Sequence, residues 1–293
     1  VTLGQGIQST DGRAMAAPYT WQFRAATSSG LGIFDVSELY DVSSISPFKL
    51  SESHQPQSVL DSQAVALGDL NGDGDLDAYV IRNSARSTVW FNNGGGAFTD
   101  SGQDLEDARS WAVALGDLDR DGDLDALVGN YGAPDTLWFN DGAGVFTKSA
   151  HILDSGDTYA IALGDVDGDG DLDAVTGSDL GQANHLWIND GTGIFILSNQ
   201  YLGYWDTRAL ALGDMDNDGD LDILLGNSNG EANRLWFNDG RGRFKDSGQK
   251  LGAAQTYAVA LGDLDGDHDL DLFVGNLAGE PDEVWFNDGA GTL

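Results

Sequence analysis

There is no cysteine in these 293 residues, so neither a disulfide framework nor a thiolate metal site is available. Basic residues are few: 14 Lys and Arg stand against 48 Asp and Glu, a formal net charge of −34. That balance argues against nucleic acid or an anionic bilayer surface as partner. No apolar run approaches the roughly 18 residues of a membrane-crossing helix, so no membrane insertion is expected. Sustained helical periodicity is missing too. The four His (54, 151, 185 and 268) lack the spacing of a zinc site or a catalytic triad. The chain opens at Val1 without Met or leader and stops at Leu293 inside a repeated motif, as a processed product or an excerpt would.

What the chain has in abundance is one acidic loop. Asp69-Leu70-Asn71-Gly72-Asp73-Gly74-Asp75-Leu76-Asp77 returns at Asp117, Asp165, Asp214 and Asp263, spaced by 48, 48, 49 and 49 residues. A fixed period of this size signals stacked supersecondary units. The five loops hold 24 of the 48 acidic residues, and alternate carboxylates so close together repel one another unless a cation holds them. Ca²⁺ takes six to eight oxygens in a flexible geometry. Positions 1, 3, 5 and 9 supply side-chain ligands: Asp69, Asn71, Asp73 and Asp77; Asp117, Asp119, Asp121 and Asp125; Asp165, Asp167, Asp169 and Asp173; Asp214, Asp216, Asp218 and Asp222; Asp263, Asp265, Asp267 and Asp271. Position 7 (Asp75, Asp123, Asp171, Asp220, Asp269) belongs to each site through its backbone carbonyl, and Gly at position 6 permits the sharp turn. Up to five structural Ca²⁺ ions are expected. Asn71 lowers the charge of the first site, and His268 replaces the turn glycine of the fifth, so these two should bind most weakly.

Around each loop the same strands recur. A short run such as Ala160–Gly164 precedes it, and a second strand such as Ala174–Thr176 follows. A third carries Trp90, Trp138, Trp187, Trp236 or Trp285, where an aromatic repeated in every unit packs in the core. Asn-Asp-Gly then marks a hairpin turn (Asn-Asn-Gly at Asn92–Gly94). A fourth strand opens with Gly-x-Gly-x-Phe, as at Gly142–Phe146. Four short strands per period describe a propeller blade. The expected class is all-β: a β-propeller of four-stranded blades with Ca²⁺ loops between strands one and two, five blades recognisable and five to seven closing the ring. The blades run approximately 30–93, 94–141, 142–190, 191–239 and 240–288, after an N-terminal β segment, 1–29. Gly30–Phe34 carries the same turn motif, but Asp69 follows Phe34 by 35 residues rather than the usual 19.

The motif Asp-x-Asp-x-Asp-Gly-x-x-Asp inside an Ala-Leu-Gly-Asp frame resembles the FG-GAP or VCBS repeats of integrin α-subunit heads, certain fungal lectins and many bacterial surface proteins. The resemblance covers residues 30–293 and implies a propeller whose calcium is structural, with ligands on the opposite face or between blades. Residues 1–27 resemble the last strands of a bacterial surface-layer-type Ig-like domain. Alternatively, Tyr19–Phe23 begins an imperfect blade.

The segments that vary between repeats precede strand one or join strands two and three. They carry Trp111, Tyr131, Tyr159, Tyr204, Trp205 and Tyr257, and rings beside Asn and Asp suit a sugar-binding surface. Gly226-Asn-Ser228-Asn-Gly230 matches a hydrolase nucleophile motif but lies between two blade strands, so no catalytic residue is assigned and no enzyme is expected. The reading is an extracellular or cell-surface calcium-stabilised propeller, a binding, adhesion or assembly module of a bacterial surface protein. A carbohydrate-binding lectin is the alternative, and an enzyme-associated propeller is the third reading. Partners would be a glycan or a surface protein, with self-association through the N-terminal strands.

Overall fold

The computed structural model describes residues 62–293 except 84, 104, 106–108, 154–155 and 278. Residues 1–29 and the turn at Gly30–Phe34 lie outside the described residues, and so do the Ig-like and imperfect-blade readings.

Among the described residues, nineteen strands form five antiparallel sheets. The first holds β1 (Ser62–Gly68), β2 (Asp77–Arg82), β3 (Thr88–Asn92) and β4 (Phe98–Asp100). The second holds β5 (Ser110–Gly116), β6 (Asp125–Asn130), β7 (Asp135–Asn140) and β8 (Phe146–Leu153). The third holds β9 (Thr158–Gly164), β10 (Asp173–Ser178), β11 (His185–Asn189) and β12 (Phe195–Leu197). The fourth holds β13 (Thr207–Gly213), β14 (Asp222–Asn227), β15 (Arg234–Phe237) and β16 (Lys245–Asp246). The fifth has three strands: β17 (Thr256–Gly262), β18 (Asp271–Asn276) and β19 (Glu283–Trp285). The innermost strands β1, β5, β9, β13 and β17 follow one another around a common channel. The described residues form a β-propeller of five blades. No helix among the described residues is long and apolar enough to cross a membrane.

One boundary differs from the sequence reading. Asn92 pairs with Phe98, and Asn140 with Phe146, so the Gly-x-Gly-x-Phe strand closes its own hairpin. The limits 30–93, 94–141, 142–190, 191–239 and 240–288 therefore cut each blade at its last turn. The reason is local: the left-handed glycines after Asn92 and Asn140 (Gly94 and Gly96, Gly142 and Gly144) fold the chain back on the strand just made.

The core lies between blades. Its four apolar clusters each join two successive sheets; the first, for example, sets Leu70, Tyr79 and Val89 against Val128, Trp138 and Phe146. Trp138, Trp187 and Trp236 are buried there, as a repeated core aromatic should be. The frame glycine ending strand one has a specific task. A Cβ on Gly68 would stand 2.5 Å from Leu124 of the next blade, and one on Gly116 2.6 Å from Leu172. The invariant Leu at loop position 8 thus locks into the neighbouring blade, and no larger residue leaves it room.

Candidate functional sites

Each acidic loop is closed by its ninth residue. Asp125 is fully buried; one carboxylate oxygen accepts from the Leu118 N–H (3.0 Å) and the other from the Asn140 N–H (2.8 Å). Asp77, Asp173, Asp222 and Asp271 repeat both bonds. Position 9 therefore ties the loop to strand three as well as facing the acidic cluster. At position 1, Asp69 accepts from the Gly72, Asp73 and Gly74 N–H groups and holds the loop round. Position 6 takes left-handed backbone, φ 89° at Gly74 and 95° at Gly122, and His268 adopts φ 80° as anticipated. Position 4 is left-handed too, at Gly72, Arg120, Gly168, Asn217 and Gly266, a second constraint the sequence reading passed over.

Four loops bring three carboxylates within 4.8 Å of one another: Asp117, Asp119 and Asp125; Asp165, Asp167 and Asp173; Asp214, Asp216 and Asp218; Asp263, Asp265 and Asp271. The first loop places Asn71 among its acids, with its amide donating to Asp73. Position 7 points elsewhere: the carboxylates of Asp75, Asp123, Asp171, Asp220 and Asp269 sit against Gly94, Gly142, Gly191, Gly240 and Gly289 of the hairpin turn. Asp171 also pairs with Arg120 of the preceding blade.

The donor set fits a hard cation. One oxygen each of Asp117, Asp119 and Asp216 is buried with no hydrogen-bond donor, which leaves lone pairs facing the cluster unsatisfied. Without a cation, burial pushes the Asp125 carboxyl up to about 7, and Asp173 and Asp222 up to about 6. Asp119, Asp167 and Asp216 are raised by burial and then by the neighbouring carboxylates Asp121, Asp169 and Asp218. Groups this reluctant to ionise together gain most from a divalent charge.

The opposite ends of strands one and two form the mouth of the channel. Val65, Trp111, Tyr159, Arg208 and Tyr257 line its wall, one from each blade. The Trp111 and Tyr159 rings lie 4.6 Å apart, and Tyr131 meets Tyr159 edge-on at 6.1 Å. The Arg208 guanidinium lies 3.9 Å from the Tyr159 ring centre and 5.8 Å from that of Tyr257, and pairs with the buried Asp179. Arg109 covers Tyr131 at 4.7 Å. Burial raises the Tyr159 hydroxyl above its ordinary range even though Arg208 pulls it down.

Four of the six aromatics expected on this face thus come together: Trp111, Tyr131, Tyr159 and Tyr257. Trp205 packs instead into the cluster between the third and fourth blades, against Trp236 and Arg234. Tyr204 pairs with Tyr201, and both rings are exposed. Two further residues of this face, Arg208 and Asp179, are not among those expected from the sequence. The signal was present, since Arg208 is the one charged residue at a strand position that otherwise holds Gln63, Trp111, Tyr159 and Tyr257. Ser228 of the nucleophile-like motif is buried in a turn, its N–H and hydroxyl both donating to the Asp206 carbonyl.

Fold and site together define a β-propeller with cation-type acidic loops on one face. The FG-GAP-like repeat pattern matches residues 69–128, 117–176, 165–225 and 214–274, and the chain belongs to that family. No curated protein sequence matches it. Among solved structures, BBS1N in complex with ARL6DN is 14% identical over 79% of this chain and 66% of its own, with a TM-score of 0.51. An Agrocybe aegerita lectin, described as recognising non-reducing terminal N-acetylglucosamine, is 22% identical over 66% of this chain and 53% of its own (TM-score 0.44). The V. cholerae biofilm matrix protein Bap1 is 20% identical over 72% of this chain and 34% of its own (TM-score 0.41). The chain spans a third to two thirds of these proteins' length.

Proposed function

We propose that this propeller is a non-catalytic binding module that uses calcium to hold one face rigid and takes its ligand at the mouth of the channel on the other. The carrying observation is the cluster of Trp111, Tyr159, Arg208 and Tyr257, which four blades place at one structural position, with Tyr131 packed edge-on against Tyr159. Repeats that keep their loops and vary their mouths separate support from recognition. Calcium is the cation proposed because the donors are all oxygens in a flexible loop. Loops of modest affinity fill where calcium is plentiful, so the setting proposed is extracellular, as an adhesion or assembly module of a cell surface.

A glycan is the ligand class favoured. Aromatic faces beside Arg208 and Asp179 offer stacking and hydrogen bonding together, as sugar sites do. A glycan array probed with the calcium-loaded protein tests this. Binding that is lost in Trp111→Ala and Tyr257→Ala, with the fold retained, is the expected result. Signal unchanged in both variants would remove the mouth from the proposal, and a blank array would leave a protein ligand to be sought.

A further inference from the structure

Each of the first four blades presents the same face to the blade that follows. The loop's second residue is fully buried there in Leu70, Leu118 and Met215, and nearly so in Val166. Strand two contributes Tyr79, Leu127, Val175 and Leu224, and strand three Val89, Leu137, Leu186 and Leu235, all at 0% exposure. What covers this face includes the next blade's hairpin turn. Asn140, Asn189, Asn238 and Asn287 each send a side-chain amide back to the carbonyl of that second residue. The second glycine of the turn presses on the ring after Trp: a Cβ on Gly144, Gly193 or Gly291 would overlap Phe91, Phe139 or Phe237. Behind it, Gln103, Gln200 and Gln249 grip the turn of the following blade through its glycine carbonyl and the N–H two residues on.

The fifth blade carries the receiving half of this interface with nothing described on it. Leu264, Phe273 and Val284, at positions buried in every other blade, are 49%, 42% and 45% exposed, and Phe286 is 56% exposed. A Cβ on Gly262 would meet nothing within 4 Å, where its four counterparts receive a leucine. This is a half-interface of defined chemistry, shaped for a Gly-x-Gly-x-Phe turn. The sequence holds one further copy of that turn, Gly30-Leu31-Gly32-Ile33-Phe34, ahead of the first blade. The residues ahead of Ser62 span more than one repeat of 48 or 49.

We propose that the free face of the fifth blade is the docking site of the chain's own Gly30–Phe34 turn, so that the N-terminal region closes the ring as a sixth blade position. Gly32 then sits on Phe286 as Gly291 sits on Phe237. Leu264 and Val284 become covered, and the first and last parts of the chain are stapled together.

The test is site-specific photocrosslinking of the full-length chain, with benzoylphenylalanine replacing Phe286 and trypsin digestion followed by mass spectrometry. The expected product is an intramolecular crosslink to the tryptic peptide 25–49, which contains the turn. The same label at Phe237 should mark the peptide 251–293 and serves as the internal standard. A crosslink from position 286 to a second copy, to a peptide of the first blade, or to no peptide while position 237 reacts, would overturn the proposal. Phe286→Asp gives a second reading without the label. If the face is occupied, proteolysis within residues 1–61 should accelerate about tenfold or more while blades two to four stay resistant; an unchanged rate argues the face is free.

Discussion

The two faces of this propeller are built by opposite rules. On the loop face, the side chains at positions 1, 5 and 9 are the same in all five blades, and each ninth carboxylate makes the same two backbone bonds. On the mouth face, one structural position holds Gln63, Trp111, Tyr159, Arg208 and Tyr257. Repetition suits a task that every blade must perform for itself, holding its hairpin against its own charge. Variation suits a task the blades perform once between them. Stability should therefore follow the loops, and recognition the mouth.

Cation removal should break that symmetry most. A ligand bound only to the folded state at about a hundred times its dissociation constant adds about 2.7 kcal/mol per site. Several sites together, at about 2–4 °C per kcal/mol for a domain of this size, make a fall in Tm of about 10 °C or more in EDTA. Re-added Ca²⁺ should restore it and Mg²⁺ should not, since Mg²⁺ gives up its water reluctantly. A melting curve indifferent to EDTA would remove the cation from the account.

Next in size is Asp125→Ala. It orphans the N–H groups of Leu118 and Asn140 in a fully buried site, at a cost of about 3 kcal/mol. Asp123→Ala, whose carboxylate rests against Gly142 outside the cluster, should cost less than half as much. Equal losses in denaturant melts would contradict the division between positions 9 and 7.

Acidity supplies a third test. In the cation-free chain, Asp125 keeps its proton up to a pH of about 7, and Asp173 and Asp222 to about 6, whereas in the unfolded chain an Asp releases its proton near pH 4. The folded state then binds more protons between those limits, so its stability is greatest at the acid end and falls as pH rises from about 4 to about 7. Calcium should abolish that slope, because it holds the same carboxylates ionised. On the mouth face, Tyr257→Ala and Tyr204→Ala should each change stability by about 1 kcal/mol or less. Only the first should lower ligand binding.

Much of this was legible because it is local. The loop's alternating carboxylates, the alternation of Ala with larger residues and the Asn-Asp-Gly turn all lie within a few residues, so loop, strands and blade order could be read directly. The contacts that hold blade to blade span long separations and were not read. Asn140 reaches back to the carbonyl of Leu70, and Gln103 reaches forward to the Gly144 carbonyl and the Phe146 N–H. Their traces were there, in an Asn after every Trp strand and in Ser-x-Gln at 101–103, 198–200 and 247–249. Nothing in one sequence says that a side chain bonds across a seam. The blade limits slipped for the same reason, since a repeat unit can be cut anywhere but a sheet cannot. At the mouth, six aromatics looked alike, and only packing separates Trp205, which is core, from Trp111, which faces the channel.

The smallest effect separates backbone strain from cation affinity within one loop. His268 sits at φ 80°, where glycine stands in the other four blades, and its ring lies 3.3 Å from Asp263. A left-handed residue with a Cβ costs about 1–2 kcal/mol, and the freedom a glycine adds to the unfolded chain returns about 0.4–1 kcal/mol of that. His268→Gly should therefore stabilise the protein by about 0.5 kcal/mol, roughly 1–2 °C in Tm, both in EDTA and in Ca²⁺. A gain seen only with Ca²⁺ would mean that histidine weakens the fifth site itself. A loss in both would mean that the His268–Asp263 contact outweighs the strain, and the fifth loop would then be held by its own ring.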